Sequence, residues 1–278
     1  MKNAKYSINA YKVYKSGYSG KNVNVAVLDT GVFVHTCLKG RVEFFMDIVG
    51  KKKECYDDNG HGTHVCGILC GQDIGMAPDV GLYVFKVLDS LGMGRTSDSI
   101  CALRWIKENC HTRNIKILNF SVGYLPYSDV NEREKILRLI DELWDMGVTV
   151  VAAAGNYGPD PFTVTVPGIS RKIITVGSFN DIRSGNGPTG CCIVKPEILA
   201  PGRDILSLGT RDETYVKKTG TSMATPIVSG AVALLLERFP DMRPEEIKLR
   251  LYNTCKRLGG VQQNAWGLID VDKFVGVY

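Results

Sequence analysis

The chain has 278 residues, 44% hydrophobic and 23% charged, which is ordinary globular composition with enough apolar material for a core. Its net charge of +5 is mild and scattered, so no basic stripe argues for nucleic acid. The longest apolar runs, residues 148–154 and 231–236, fall far short of the roughly 18 needed to span a membrane, and neither disorder nor insertion is expected.

The N-terminus, Met1-Lys2-Asn3-Ala4-Lys5-Tyr6, lacks the apolar core of a secretory signal. A first strand is expected over 23–28, running into Asp29-Thr30-Gly31. The segment Asp58-Asn59-Gly60-His61-Gly62-Thr63-His64-Val65 then leads into an apolar, buried helix. Strands follow at 82–87, 115–120, 148–152 and 173–176, with helices at 97–109 and 131–146 between them. Gly220-Thr221-Ser222-Met223-Ala224-Thr225-Pro226 opens a long helix over 222–239, and Pro244 suits the first position of another over 244–253. The strands are rich in Val and Ile and apolar on both faces, as in a parallel sheet covered on two sides. The fold class is therefore α/β: a mainly parallel sheet with helices on both faces, in three layers. No linker or repeat divides residues 1–278, which read as one domain.

Nine cysteines cannot all pair internally, and together with the missing signal they favour a reducing, cytoplasmic setting with free thiols. The vicinal pair Cys191-Cys192 is no redox motif and reads as structural.

Acyl transfer needs a hydroxyl nucleophile, an imidazole to take its proton and a carboxylate to hold that imidazole's tautomer. The motif segments offer one of each: Ser222, His61 and Asp29. Asp29 falls at the carboxyl end of its strand, where open α/β sheets place their crevice. Ser222 falls at a helix N-terminus, where unpaired N–H groups favour a developing oxyanion. Pro226 is expected within the first turn, where its missing N–H is harmless. A further strand ends in Ala153-Ala154-Gly155-Asn156, whose amide suits an oxyanion donor. Taken singly, Asp29 reads as a turn residue and Ser222 as a helix cap. An aspartic protease would need a second Asp-Thr-Gly, and there is one. His61, His64, Cys66 and Cys70 match no standard zinc spacing, and His64 reads as structural.

Taken together these segments resemble the subtilisin family of serine proteases, the subtilases, in the order Asp, His, Ser. The likeness covers residues 11–271 and includes Lys195-Pro196-Glu197-Ile198-Leu199-Ala200-Pro201-Gly202 before the serine loop. The lead-in Asp57-Asp58-Asn59-Gly60 and the missing signal resemble the intracellular branch. The resemblance implies a serine endopeptidase acting on extended polypeptides. In it Ser222 is nucleophile, His61 base and then acid, Asp29 orienter and Asn156 oxyanion donor. It implies two backbone strips that grip the substrate, Gly92-Met93-Gly94 and Ser121-Val122-Gly123, with Ala153-Ala154-Gly155 walling the primary pocket. Thr165 stands where many such enzymes carry glycine at that pocket's floor. With about twenty residues before the first strand, no inhibitory pro-domain is expected in this chain. No cofactor is expected, and a tight calcium site is expected to be absent. The stretch that would supply its aspartate reads His35-Thr36-Cys37-Leu38, and only Gly71-Gln72-Asp73-Ile74-Gly75-Met76 is left to wrap the ion. Polypeptides are the expected partners; oligomeric state is not legible. The rival reading is a catalytically weak protein of this fold that binds peptides or regulates.

Overall fold

Every residue from Val25 to Asp29 is fully buried, and successive strand residues point to opposite faces, so this segment needs a cover on each side. It forms β1 (Asn24–Asp29), the third strand of a seven-stranded sheet. The computed structural model describes residues 1–125, 129–190, 194–258 and 265–277. The other strands of the sheet are β2 (Val42–Asp47), β3 (Gly81–Lys86), β4 (Ile115–Phe120), β5 (Thr149–Ala153), β6 (Ile174–Phe179) and β7 (Ile198–Pro201). They run β2-β3-β1-β4-β5-β6-β7, and each neighbouring pair is parallel. A two-stranded antiparallel hairpin, β8 (Ile205–Leu208) with β9 (Tyr215–Lys218), stands apart.

The helices are α1 (Lys2–Ser7), α2 (Tyr11–Lys15), α3 (His61–Cys70), α4 (Thr96–Asn109), α5 (Val130–Asp145), α6 (Thr221–Arg238), α7 (Pro244–Thr254) and α8 (Val271–Val275). Those against the sheet form two packed pairs, α3 with α6 and α4 with α5. No described helix is long and apolar enough to cross a membrane. The α/β class and the parallel sheet match expectation, and the anticipated strands and helices lie within a few residues of their places. Unanticipated are β2, β7, the hairpin and the short helices. Edge strand β2 is only part-buried and gains its place from outside, through Phe44 stacked on Trp105 of α4 at 4.3 Å. At five residues α2 is too short to hold itself in helix form. The Asp272 carboxylate stabilises its start, accepting from the N–H groups of Lys12 and Val13 at 3.1 and 2.9 Å.

The sheet's carboxyl edge gathers the motif segments. Asp29 is in register with Lys86 of β3, Leu28 with Phe120 of β4, and Phe120 with Ala152 of β5. Neighbouring strands lie about 4.8 Å apart, so the residues just beyond these ends share one crevice. The pair Cys191-Cys192 lies outside the described residues.

Candidate active site

Asp29 is fully buried, and its Oδ1 accepts from the Thr30 N–H and from His61 Nδ1, each at 2.7 Å. His61 is the first residue of α3 and follows Gly60, whose φ of 88° is left-handed and suits a residue without Cβ. A Cβ on Gly62 would lie 2.1 Å from Gly31 O, so glycine alone lets the helix start close against the aspartate turn. With Nδ1–H donated to the carboxylate, the neutral ring leaves Nε2 as its base. A quarter of the His61 side chain is exposed. Burial by itself would lower its pKa; the Asp29 charge and hydrogen bond, helped by Asp57 and opposed by Lys218, leave it raised above the ordinary value.

Two residues that motif reading passed over fix this pair. Thr30 Oγ1 accepts from the Gly62 N–H at 2.9 Å and donates to Asp57 Oδ1 at 2.8 Å. The Asp57 carboxylate also accepts from the N–H groups of Asn59, Gly60 and Thr63 and from Thr63 Oγ1. It thus satisfies the first donors around the start of α3. Burial would raise its pKa, but these bonds, led by the Thr63 hydroxyl, hold it below the usual carboxylate range. The signal was present: an acidic residue just ahead of a helix start is the pattern of a cap.

Ser222 is the second residue of α6 and partly exposed, whereas nearly all of the helix beyond it is buried. Its Oγ donates to Ser121 O at 3.0 Å, and no hydrogen bond joins it to His61 among the described residues. Pro226 lies deeper in the helix than expected, in its second turn. Its missing N–H would have bonded Ser222 O, so that carbonyl is freed and accepts instead from Ser121 Oγ at 3.3 Å. Ser121 Oγ in turn accepts from Asn119, which accepts from Ser229 of α6. The proline therefore ties the serine turn to the end of β4.

Asn156 follows β5, and its Oδ1 accepts from the Thr221 N–H at 3.0 Å and from Thr221 Oγ1 at 3.3 Å. Its Nδ2 keeps both protons without a protein acceptor among the described residues. The Ser222 N–H lies in the first turn of α6, where the helix offers no acceptor. Thr221 Oγ1 further accepts from the Gly155 N–H at 3.1 Å, joining the two loops.

Ser121, Val122 and Gly123 continue β4, and Gly92, Met93 and Gly94 occupy an exposed turn after β3. That turn is closed on Asp89, whose Oδ1 accepts from the N–H groups of Leu91 and Met93 at 2.9 Å each. Asn59 Nδ2 reaches it at Ser90 O, 3.0 Å away. Ala153 and Ala154 are buried, and Gly155 has a left-handed φ of 93°. Thr165 fills the space between two of these segments. A Cβ on Gly123 would lie 2.4 Å from its Oγ1, and one on Gly155 2.6 Å from its Cγ2.

His64 takes no part in the pair. Its buried Nε2 lies 3.0 Å from Ile205 O and 3.1 Å from Val216 O, holding β8 and β9 together, while Nδ1 has no partner among the described residues. Burial lowers its pKa to about 4 despite these carbonyls. The folded form thus binds its proton less readily than the unfolded chain. Its contribution is full above about pH 6.5 and is lost as pH falls through 4, amounting to about 3 kcal/mol. Urea melts at pH 7 and pH 4 are expected to differ by that much more in the parent than in His64→Gln. Cys66 and Cys70 are buried, and burial pushes both thiols up. Among the described residues no three of His, Cys, Asp and Glu come together to hold a metal.

A family model described as the subtilase family matches residues 20–268. Serine protease AprX of Bacillus subtilis (strain 168) is 37% identical to this chain, over 93% of it and 67% of the relative. Subtilisin DY of Bacillus licheniformis is 35% identical, with 95% of each chain covered. Subtilisin E of Bacillus subtilis (strain 168) is 34% identical over 95% of this chain and 68% of the relative.

Proposed function

This chain belongs to the subtilase family and is a subtilisin-type serine endopeptidase acting on polypeptides; from that premise we propose that its hydrolysis runs through an acyl-enzyme on Ser222. His61 takes the Ser222 proton at Nε2 and returns it to the leaving amine, and Asp29 holds the tautomer and stabilises the imidazolium. The observation that carries this is the 2.7 Å contact of His61 Nδ1 with a fully buried carboxylate. The substrate lies extended along Ser121–Val122–Gly123 and Gly92–Met93–Gly94, its backbone paired with theirs. Ser121 O, which now accepts the Ser222 hydroxyl, is a carbonyl such a strand would claim, and its capture frees the hydroxyl for His61. Ala153, Ala154 and Gly155 line the adjoining pocket.

The tetrahedral oxyanion is held by the Ser222 N–H and by Asn156 Nδ2, whose orientation Thr221 fixes through Oδ1. Asn156→Ala is expected to lower kcat by roughly 10²–10³ with little change in KM, since the donor acts on the transition state. A raised KM at constant kcat would make it a ground-state contact.

Labelling by a fluorophosphonate, together with hydrolysis of a peptide amide, tests the mechanism. Failure to label would remove it. Labelling without turnover would favour a weak peptide-binding protein.

Our reading also has no tight calcium site. Cys37, Gln72 and Asp73 line one cavity, the place the ion would need, and Lys5, Lys39 and Arg41 line it with them, as does Asp79, whose carboxylate is already paired with Arg41. Three cationic groups and a thiol are poor company for a hard dication. EDTA is accordingly expected to leave the melting temperature within a degree or so, because only an ion bound to the folded state stabilises it. A fall of many degrees, reversed by calcium, would overturn this. Localisation in the cytoplasm is proposed from the odd cysteine count and the seven described cysteines, all free thiols.

A further inference from the structure

Lys86 is the one charged residue in the stretch Leu82-Tyr83-Val84-Phe85-Lys86-Val87, and it is fully buried. Its ammonium has three protons and three acceptors: Thr30 O at 2.7 Å, Leu88 O at 2.9 Å and Asp58 Oδ1 at 2.7 Å. An apolar side chain would fill such a strand position without desolvating a charge, so packing does not explain a lysine here. The acceptors do. Thr30 directly follows Asp29, Asp58 stands three residues before His61, and Leu88 leads into the turn bearing Gly92–Met93–Gly94.

The three segments are not equally secured without it. Asp29 lies in a strand paired on both sides, and Thr30 is bonded through its hydroxyl to Asp57 and Gly62. The exposed turn has its own Asp89 closure, the Asn59–Ser90 bond and the backbone bonds from Val87 and Leu88 N–H to Asp29 O. Of these, only Asn59 and Asp29 connect it to the acid–base segments. Lys86 adds a third connection, made at the point where the strand leaves the sheet.

We propose that Lys86 is a positioning residue that sets the substrate strip Gly92–Met93–Gly94 in register with the Asp29–His61 pair. The proposal rests on reading that strip as a substrate-binding edge. Lys86 touches no reacting atom; it acts through where the strip holds the peptide backbone. A displacement of about 1 Å there is enough to cost a factor of 10² in rate.

The test compares two reactions of the same enzyme. A peptide anilide long enough to lie along the strip depends on register, whereas a small fluorophosphonate reaches the serine without using the strip. In Lys86→Met, kcat/KM on the peptide is expected to fall ten- to hundredfold, while labelling slows by less than threefold. The gap should close on substrates shortened upstream of the scissile bond. Lys86→Arg should recover part of the loss, since a guanidinium retains the charge and the donors. Equal falls in both reactions would overturn the proposal, because Lys86 would then act on the catalytic pair or on the fold. No fall in either would overturn it as well. Should Lys86→Met fail to fold, Asp58→Asn serves: its side chain is 42% exposed and the amide oxygen keeps an acceptor for the Lys86 ammonium. The expected loss is then three- to tenfold on long peptides alone, and its absence counts against the proposal. Failure of the parent enzyme to label at all would instead remove the reading of the site on which this rests.

Discussion

Replacing Ser222 by alanine is expected to end peptide hydrolysis, with kcat falling on the order of 10⁶, the general scale for dismantling a serine–histidine unit. The fold should be almost untouched. The lost hydroxyl makes one hydrogen bond, to Ser121 O, at a partly exposed helix start, so the stability change should stay within about 1 kcal/mol. The bond from Ser121 Oγ to Ser222 O involves the backbone and survives the substitution. Steady-state kinetics on a peptide anilide and a calorimetric melt of the same preparation check both halves. Retained turnover would remove Ser222 as nucleophile. A large drop in melting temperature would show that its hydroxyl supports the turn.

Asp29→Asn should lower kcat on the order of 10⁴ with KM nearly constant. Asp29 Oδ1 accepts both the Thr30 N–H and His61 Nδ1–H. With its oxygen at the Oδ1 position an asparagine keeps both bonds and loses only the charge, its NH2 buried at the Oδ2 position where no described residue accepts it. Flipped, it gives up the Thr30 bond and turns its NH2 toward Nδ1. Facing an amide donor, Nδ1 must accept, and the ring proton moves to Nε2, the atom that should receive the serine proton. The same change removes the charge that raises the His61 pKa, while burial, which lowers it, remains. The acid limb of the residual activity should therefore move to lower pH. A variant with kcat within tenfold of the parent would exclude Asp29 as the orienter.

Much of this site is local in sequence. Asp29 after an apolar strand, His61 at the mouth of a helix, Asn156 after a third strand and Ser222 before a long buried helix each carry their own signal. Chemistry at strand and helix ends needs particular residues next to particular periodicities, and those are visible one segment at a time. Lys86 also left a trace, as a charge inside an apolar run, but nothing in that run names its acceptors. Two of the three, Thr30 and Asp58, lie 56 and 28 residues away, and the parallel pairing of β3 with β1 is what brings Thr30 beside Lys86.

Pro226 teaches the same point by a misreading. Placed in the first helical turn, its missing N–H has no consequence. The helix begins at Thr221, so the vacancy falls on Ser222 O and is filled from Ser121, 101 residues away. From the expected start at Ser222 or the observed one at Thr221, Pro226 lies beyond the first four helical residues, so its missing N–H leaves Ser222 O without its helical donor in either case.

By itself, then, the sequence determined the α/β class, the main strands and helices, and the Asp29 and His61 side chains that meet at the sheet's carboxyl edge. These follow from hydrophobic period and from short motifs, which are properties of neighbours along the chain. Only the tertiary structure decided how those side chains are held. It supplied the Asp57 carboxylate beneath the His61 turn and the Asn156 grip on Thr221. It placed Thr165 between the two glycine-bearing segments and turned His64 to the hairpin. Apart from the Asp57 bonds to Asn59, Gly60 and Thr63, which are local, these are contacts between separate segments of the chain. Hydrogen-bond geometry and close packing choose such partners by position in space, and period and composition carry no record of that choice.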